Sequence, residues 1–178
     1  YRGVNLGDDV MYSGTVSGAL EGTILGIPSV AVSQEGEDTF RFDVGARYAA
    51  RVASEVLAHG LPPETILNVN IPDVPLRGIK GVKVTCLSRR RFNNPIVEKV
   101  DPRGRKYYWI AGTRQSWSRQ KDADHEALAR HMVSVTPIRL DTTHHAMLNH
   151  FKAWEGALSR PLAGQAPGRR RLPGRSRA

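Results

Sequence analysis

Ser13-Gly14-Thr15 is the tripeptide of this chain best suited to hold an anion. Two short hydroxyl side chains flank a glycine just ahead of Val16, Ala19, Leu20 and Ile24, whose spacing predicts a helix seated on a core. Ser13 or Thr15 can act as N-cap, its oxygen accepting from one of the first unpaired backbone N–H groups. The other free N–H groups and the positive end of the helix dipole attract an oxyanion such as phosphate. Glycine at position 14 lets such an oxyanion approach the backbone closely. The same residues also make an ordinary helix cap with no ligand, and their types alone leave both readings standing.

Other residue types invite chemistry less directly. Asn5 belongs to the glycine-punctuated loop that begins at Gly3 and turns directly into the helix, where its amide can line or brace a pocket or simply hold a turn. Asp8-Asp9 is a carboxylate pair of the kind that suits Mg²⁺ or Mn²⁺. Adjacent side chains often point apart, however, and acids near a helix start are favoured without any metal. His125, His131, His144, His145 and His150 include no i, i+4 pair with a nearby glutamate, the arrangement of a zinc helix. Cys86 lies in the apolar run Val82 to Leu87 and reads as a buried, inert thiol. Being the single cysteine, it excludes an internal disulfide and suits a reducing cytoplasm, where the chain is expected.

The net charge of +9 suggests nucleic acid until it is located. Residues 160–178 hold six arginines and no acid, so only +3 remains for everything before them. The basicity belongs to a tail rich in Pro, Gly and Arg, expected to be disordered and solvated. A nucleic-acid-associating module acting through Arg169-Arg170-Arg171 is the competing reading, and nucleic acid is not the expected partner. No apolar run approaches the length of a membrane span, so no membrane partner is expected.

The elements that must position these residues follow from periodicity. After the first helix, Gly26 stops the chain, and Ile27 to Ser33 reads as a short apolar strand. A second helix is predicted over 42–59 from the stripe Val44, Tyr48, Val52 and Val56, ended by Gly60 and Pro62-Pro63. Ile66 to Pro72 alternates as a strand, and Ile79 to Leu87 supplies another. Phe92 to Val100 and Lys106 to Ile110 flank Asp101-Pro102-Arg103-Gly104, a turn sequence that predicts a β-hairpin with Tyr107, Tyr108 and Trp109 in its second arm. A short helix over 124–130, a strand over 132–138 and a helix over 144–158 complete the chain. In the last helix Met147, Leu148, Phe151, Trp154 and Leu158 form a face that should pack. The alternation of helices and strands predicts an α/β fold.

The run Asn5-Leu6-Gly7-Asp8-Asp9-Val10-Met11-Tyr12-Ser13-Gly14-Thr15-Val16 resembles the signature loop of the SurE (survival protein E) family of nucleotidases. Leu67-Asn68-Val69-Asn70-Ile71-Pro72, Asp101-Pro102-Arg103-Gly104 with Tyr108-Trp109-Ile110, and Val133-Ser134-Val135-Thr136-Pro137-Ile138 extend the resemblance to residues 3 to about 155. It implies the later part of a Rossmann-like three-layer α/β/α domain over 1–159, with a protruding hairpin at about 90–112 and a C-terminal helix, followed by the tail at 160–178. It also implies metal-dependent hydrolysis of nucleoside monophosphates, at their 5′ or 3′ positions, with Mg or Mn as cofactor.

Residue by residue, the resemblance assigns the substrate phosphate to Ser13, Gly14 and Thr15, with Asn5 lining the pocket. It places no catalytic and no metal-binding residue in this chain. The family's metal-binding acids form a separate Asp-Asp-Gly motif, which this sequence does not contain, and the place of a metal-binding asparagine falls on Tyr1 or just before it. The first third of the family's chain is expected to be missing. A catalytically inactive remnant that still oligomerises or binds phosphate compounds is therefore the alternative. Because the family exchanges its hairpin and C-terminal helix between subunits, a homodimer or homotetramer is expected.

Overall fold

Alternating side chains in the strands dictate the layers. The strands are β1 (Val30–Gln34), β2 (Thr65–Ile71), β3 (Val82–Val84), β4 (Arg90–Arg91), β5 (Ile96–Val100), β6 (Lys106–Ile110), β7 (Ser116–Trp117) and β8 (Val133–Arg139). The helices are α1 (Gly14–Ile24), α2 (Phe42–His59), α3 (Asp124–Ala129), α4 (Leu148–Lys152) and α5 (Glu155–Leu158). These assignments come from a computed structural model, which describes residues 1–36, 40–91, 96–110, 116–118 and 120–160. The arginine tail beyond residue 160, and the parts of the expected hairpin over 92–95 and 111–112, lie outside the described residues.

Four strands pair in the order β1-β2-β8-β3. The pairs β1–β2 and β3–β8 are parallel, whereas β2–β8 is antiparallel. Successive residues of a strand face opposite sides of the sheet. On one side Ala31 and Ile66 meet Val10, Val16 and Ala19 from α1 and the segment before it. On the other, Val30, Val32, Leu67, Val69, Ile71, Val133 and Val135 meet Val44, Tyr48 and Val52 of α2. The result is the mixed α/β sheet between helical layers that the sequence predicts. Val16, Val44, Ile66 and Val69 are almost wholly buried, and each such side chain contributes about 1.5–3 kcal/mol relative to exposure.

Helix α2 spans the predicted residues, with Gly60 as its C-cap at φ 72°. Ile24, expected on the core stripe of α1, is exposed because it is the last helical residue. The strand predicted over 79–87 shrinks to Val82–Val84. Gly81 takes φ 138° before it, and at Cys86 the chain leaves β8 to pair with Ala123.

β5 and β6 form the expected hairpin, in register from Ile96–Ile110 to Val100–Lys106, with Tyr107, Tyr108 and Trp109 exposed. β4 and β7, which flank it in the sequence, pair antiparallel. The chain divides into two compact units, the first being Tyr1–Asp141 and the second beginning at Thr142. In the second, the helix predicted over 144–158 breaks into a 3-10 turn (His145–Met147), α4 and α5. Its apolar residues Leu148, Phe151, Trp154 and Leu158 are exposed rather than packed, although Phe151 and Trp154 meet edge-to-face at 4.9 Å.

Candidate functional site

Asn5 is the root of the loop that leads to Ser13-Gly14-Thr15. The α1 side of the sheet carries a buried polar band, Ser33 on β1, Asn68 and Asn70 on β2, and Ser134 and Thr136 on β8. A band of this kind is costly to bury unless each group finds a partner. Asn5 supplies several of them. Its N–H donates to Asn70 Oδ1 at 2.8 Å, and its carbonyl accepts from Asn68 Nδ2 at 2.8 Å and Asn70 Nδ2 at 3.0 Å. Its own amide donates to Ser33 Oγ at 2.5 Å. The Asn70 side chain thus pairs with the Asn5 peptide as a neighbouring strand would. The Asn5 side chain is buried in this network, which places it beneath the loop as a brace.

From Gly7 to Tyr12 the chain forms a 3-10 helix, where the sequence suggested only loop. Gly7 has φ +52°, and an added Cβ would strike the Ser88 carbonyl and the Trp117 ring. Only glycine fits both the left-handed backbone and the close approach. Its N–H donates to Asp124 Oδ2 at 2.8 Å.

Ser13 then adopts an extended conformation, φ −85° and ψ 117°, and caps α1. Its Oγ accepts from Val16 N–H at 3.1 Å, and its carbonyl accepts from Ser17 N–H at 2.9 Å. The Ser13 hydroxyl proton is left to donate elsewhere. Helix geometry gives the Gly14 and Thr15 N–H groups no intrahelical acceptor. Gly14 is exposed, and an added Cβ there would meet no atom of the described residues within 4 Å. Neither crowding nor a positive φ requires glycine at this position.

The paired acids of the loop face away from any metal role. Asp8 Oδ2 accepts from the Arg90 backbone N–H, and Asp9 Oδ1 holds the Arg90 guanidinium, both at 2.8 Å. They fasten the 3-10 helix to β4. Both Asp124 oxygens are occupied by N–H and O–H donors. Among the described residues no group of three or more His, Cys, Asp or Glu side chains converges. Asp8, Asp9 and Asp124 thus hold arginine and backbone donors rather than converging on one point.

Sequence reasoning missed Arg90, Asp124, Ser88 and Trp117, all of which touch the loop or its anchors. Nothing in the local sequence marks them, since Asp124 lies 117 residues from Gly7. Asn68 and Asn70 did leave a trace, amides at alternate positions of an otherwise apolar strand.

Comparison with known proteins bears on the same loop. The family model described as Survival protein SurE matches residues 2–94. A protein named 5′-nucleotidase SurE from Geobacter sulfurreducens is 46% identical over 169 residues, covering 94% of this chain and 64% of that one. Another of the same name from Moorella thermoacetica is 47% identical over 152 residues, covering 85% of this chain and 58% of its own length. The crystal structure of the SurE protein from Aquifex aeolicus superposes with a TM-score of 0.78 at 42% identity, covering 86% of this chain and 62% of that one. This chain therefore spans less than two thirds of the length of each of these relatives.

Proposed function

This chain belongs to the survival protein SurE family, and from that membership we propose that it carries the phosphate-holding side of a phosphomonoesterase site. The substrate class is the nucleoside monophosphate, with the phosphate held by the Ser13 and Thr15 hydroxyls and by the Gly14 and Thr15 N–H groups. The observation that carries this reading is Gly14. Open space lies over it and no described residue requires a glycine there, whereas close approach of a phosphate does. The relatives' name, 5′-nucleotidase, supports the same substrate class. Preorganised donors at a helix start also suit the charge that grows on phosphoryl oxygens during transfer.

Hydrolysis to nucleoside and phosphate is, on this reading, the activity of the whole protein. The divalent ion that the resemblance implies, magnesium or manganese, would polarise the phosphoryl group. The residues described here supply the cradle and not the ligands for that ion. The exposed aromatic arm of the hairpin, Tyr107, Tyr108 and Trp109, supports assembly into a homodimer or homotetramer.

Two measurements test the proposal. Calorimetry with AMP and with adenosine should show binding that depends on the phosphate and is lost in Ser13→Ala/Thr15→Ala. A manganese-supplemented assay of this 178-residue chain should show no phosphate release from nucleoside monophosphates. Release that disappears in either single variant would contradict the division of labour proposed here.

A further inference from the structure

We propose that Asp124, which no local feature of the sequence marks, is a positioning residue for the phosphate cradle. The assignment rests on the reading of Ser13–Thr15 as that cradle. Asp124 is fully buried, and its two oxygens have separate duties. Oδ1 accepts from the Ser88 N–H at 3.1 Å, from the His125 N–H at 2.8 Å and from the Ser88 hydroxyl. Oδ2 accepts from Gly7 N–H at 2.8 Å. One oxygen thus fixes the carboxylate to its own surroundings, and the other reaches across to the loop.

The Ser88–His125 contact reinforces the fixed side. Ser88 Oγ lies 2.7 Å from His125 Nδ1. With the single hydroxyl proton directed at Asp124, Nδ1 must carry a proton and donate to Ser88. His125 therefore donates to Ser88, and Ser88 to Asp124. The His125 ring also stacks on Trp117 at 5.4 Å between centroids, and Trp117 in turn walls the space beside Gly7. A buried carboxylate satisfied by hydrogen bonds is a rigid anchor, because releasing any donor strands charge in a poorly solvated interior.

The link to the cradle is short. Gly7 is the first residue of the 3-10 helix and Ser13 follows its last, with Ser13 N–H donating back to Val10 O at 3.3 Å. Asn5 pins the loop to β2 on one side of Gly7, and the α1 cap holds Ser13 on the other. Asp124 fixes the point between these two attachments, which sets where the helix start presents its donors.

Asp124→Asn separates the duties. Its carbonyl can keep the three Oδ1 contacts, while its NH₂ faces the Gly7 N–H and donor meets donor. In hydrogen exchange followed by mass spectrometry, Asp124→Asn should speed exchange over residues 6–13 by about 10-fold or more, with α2 unchanged. Calorimetry with AMP should show Kd raised about 10-fold in Asp124→Asn.

Exchange over 6–13 that is unchanged in Asp124→Asn, or AMP affinity equal to wild type, overturns the assignment while leaving the cradle reading intact. Absence of AMP binding by the wild-type chain overturns both. If Asp124→Asn fails to fold, the wild-type Gly7 amide decides. Protection comparable to that of the β2 amides upholds the link, and exchange at the unprotected rate removes it.

Discussion

Gly14→Ala should make this protein more stable and worse at holding phosphate. Gly14 opens α1, its φ is ordinary, and the new methyl group would meet no atom of the described residues within 4 Å. Glycine costs a helix about 0.5–1 kcal/mol relative to alanine, and the lower figure suits the first turn. For a chain of this size that corresponds to a rise in Tm of about 1–2 °C. The open space over the Cα is where the cradle reading puts phosphate oxygens, so the methyl group must hold them off. Losing one hydrogen bond to a charged group costs about 1.5–3 kcal/mol, or about 10- to 100-fold in Kd. Thermal denaturation and AMP calorimetry on one preparation measure both effects. A fall in Tm would refute the packing inference, and unchanged affinity would refute the placement of phosphate at Gly14.

The other substitutions probe the frame around that site. Gly7→Ala should destabilise by about 2–4 kcal/mol in urea denaturation, combining a left-handed backbone with a collision against Ser88 and Trp117. Asn70→Leu should cost about 2–4 kcal/mol in the same assay, because the Asn5 N–H is left buried with its acceptor gone and one donor to its carbonyl is removed. The Lys83 ammonium, hydrogen-bonded to Asp122, holds that carboxyl below its ordinary value. A depressed acid contributes stability above its unfolded pKa and loses it as pH falls through the folded one. Asp122→Asn should therefore lose less Tm than wild type between pH 5 and pH 2, in scans at matched ionic strength.

Local rules made much of the frame readable. Helix α2 could be bounded from its stripe and from Gly60, because cap and core face both lie within the segment. The tripeptide Ser13-Gly14-Thr15 announced a helix start for the same reason. What escaped depends on distance along the chain. Gly7 reads as one more loop glycine until Ser88, Trp117 and Asp124 are brought around it. Asp8-Asp9 already reads more simply as acids near a helix start than as a metal pair, but that Arg90 receives both was not legible.

The segment over 144–158 failed in the opposite direction. Its periodicity is good, but most helical stability comes from packing an apolar face, and Leu148, Phe151 and Trp154 are exposed. The polar band on β2 lies between these cases. Alternating asparagines signalled an unusual face of the sheet, while their partner, the Asn5 peptide, lies more than sixty residues away.

The placement of a nucleotide's phosphate on the start of α1 can be followed by NMR in the amide resonances of ¹⁵N-labelled chain titrated with AMP and, separately, with adenosine. AMP should shift the Gly14 and Thr15 amides most, with Val16 less affected because Ser13 Oγ already satisfies it. Adenosine should leave all three near their free positions. Equal shifts from AMP and adenosine, or AMP shifts concentrated away from Ser13–Thr15, would contradict that placement.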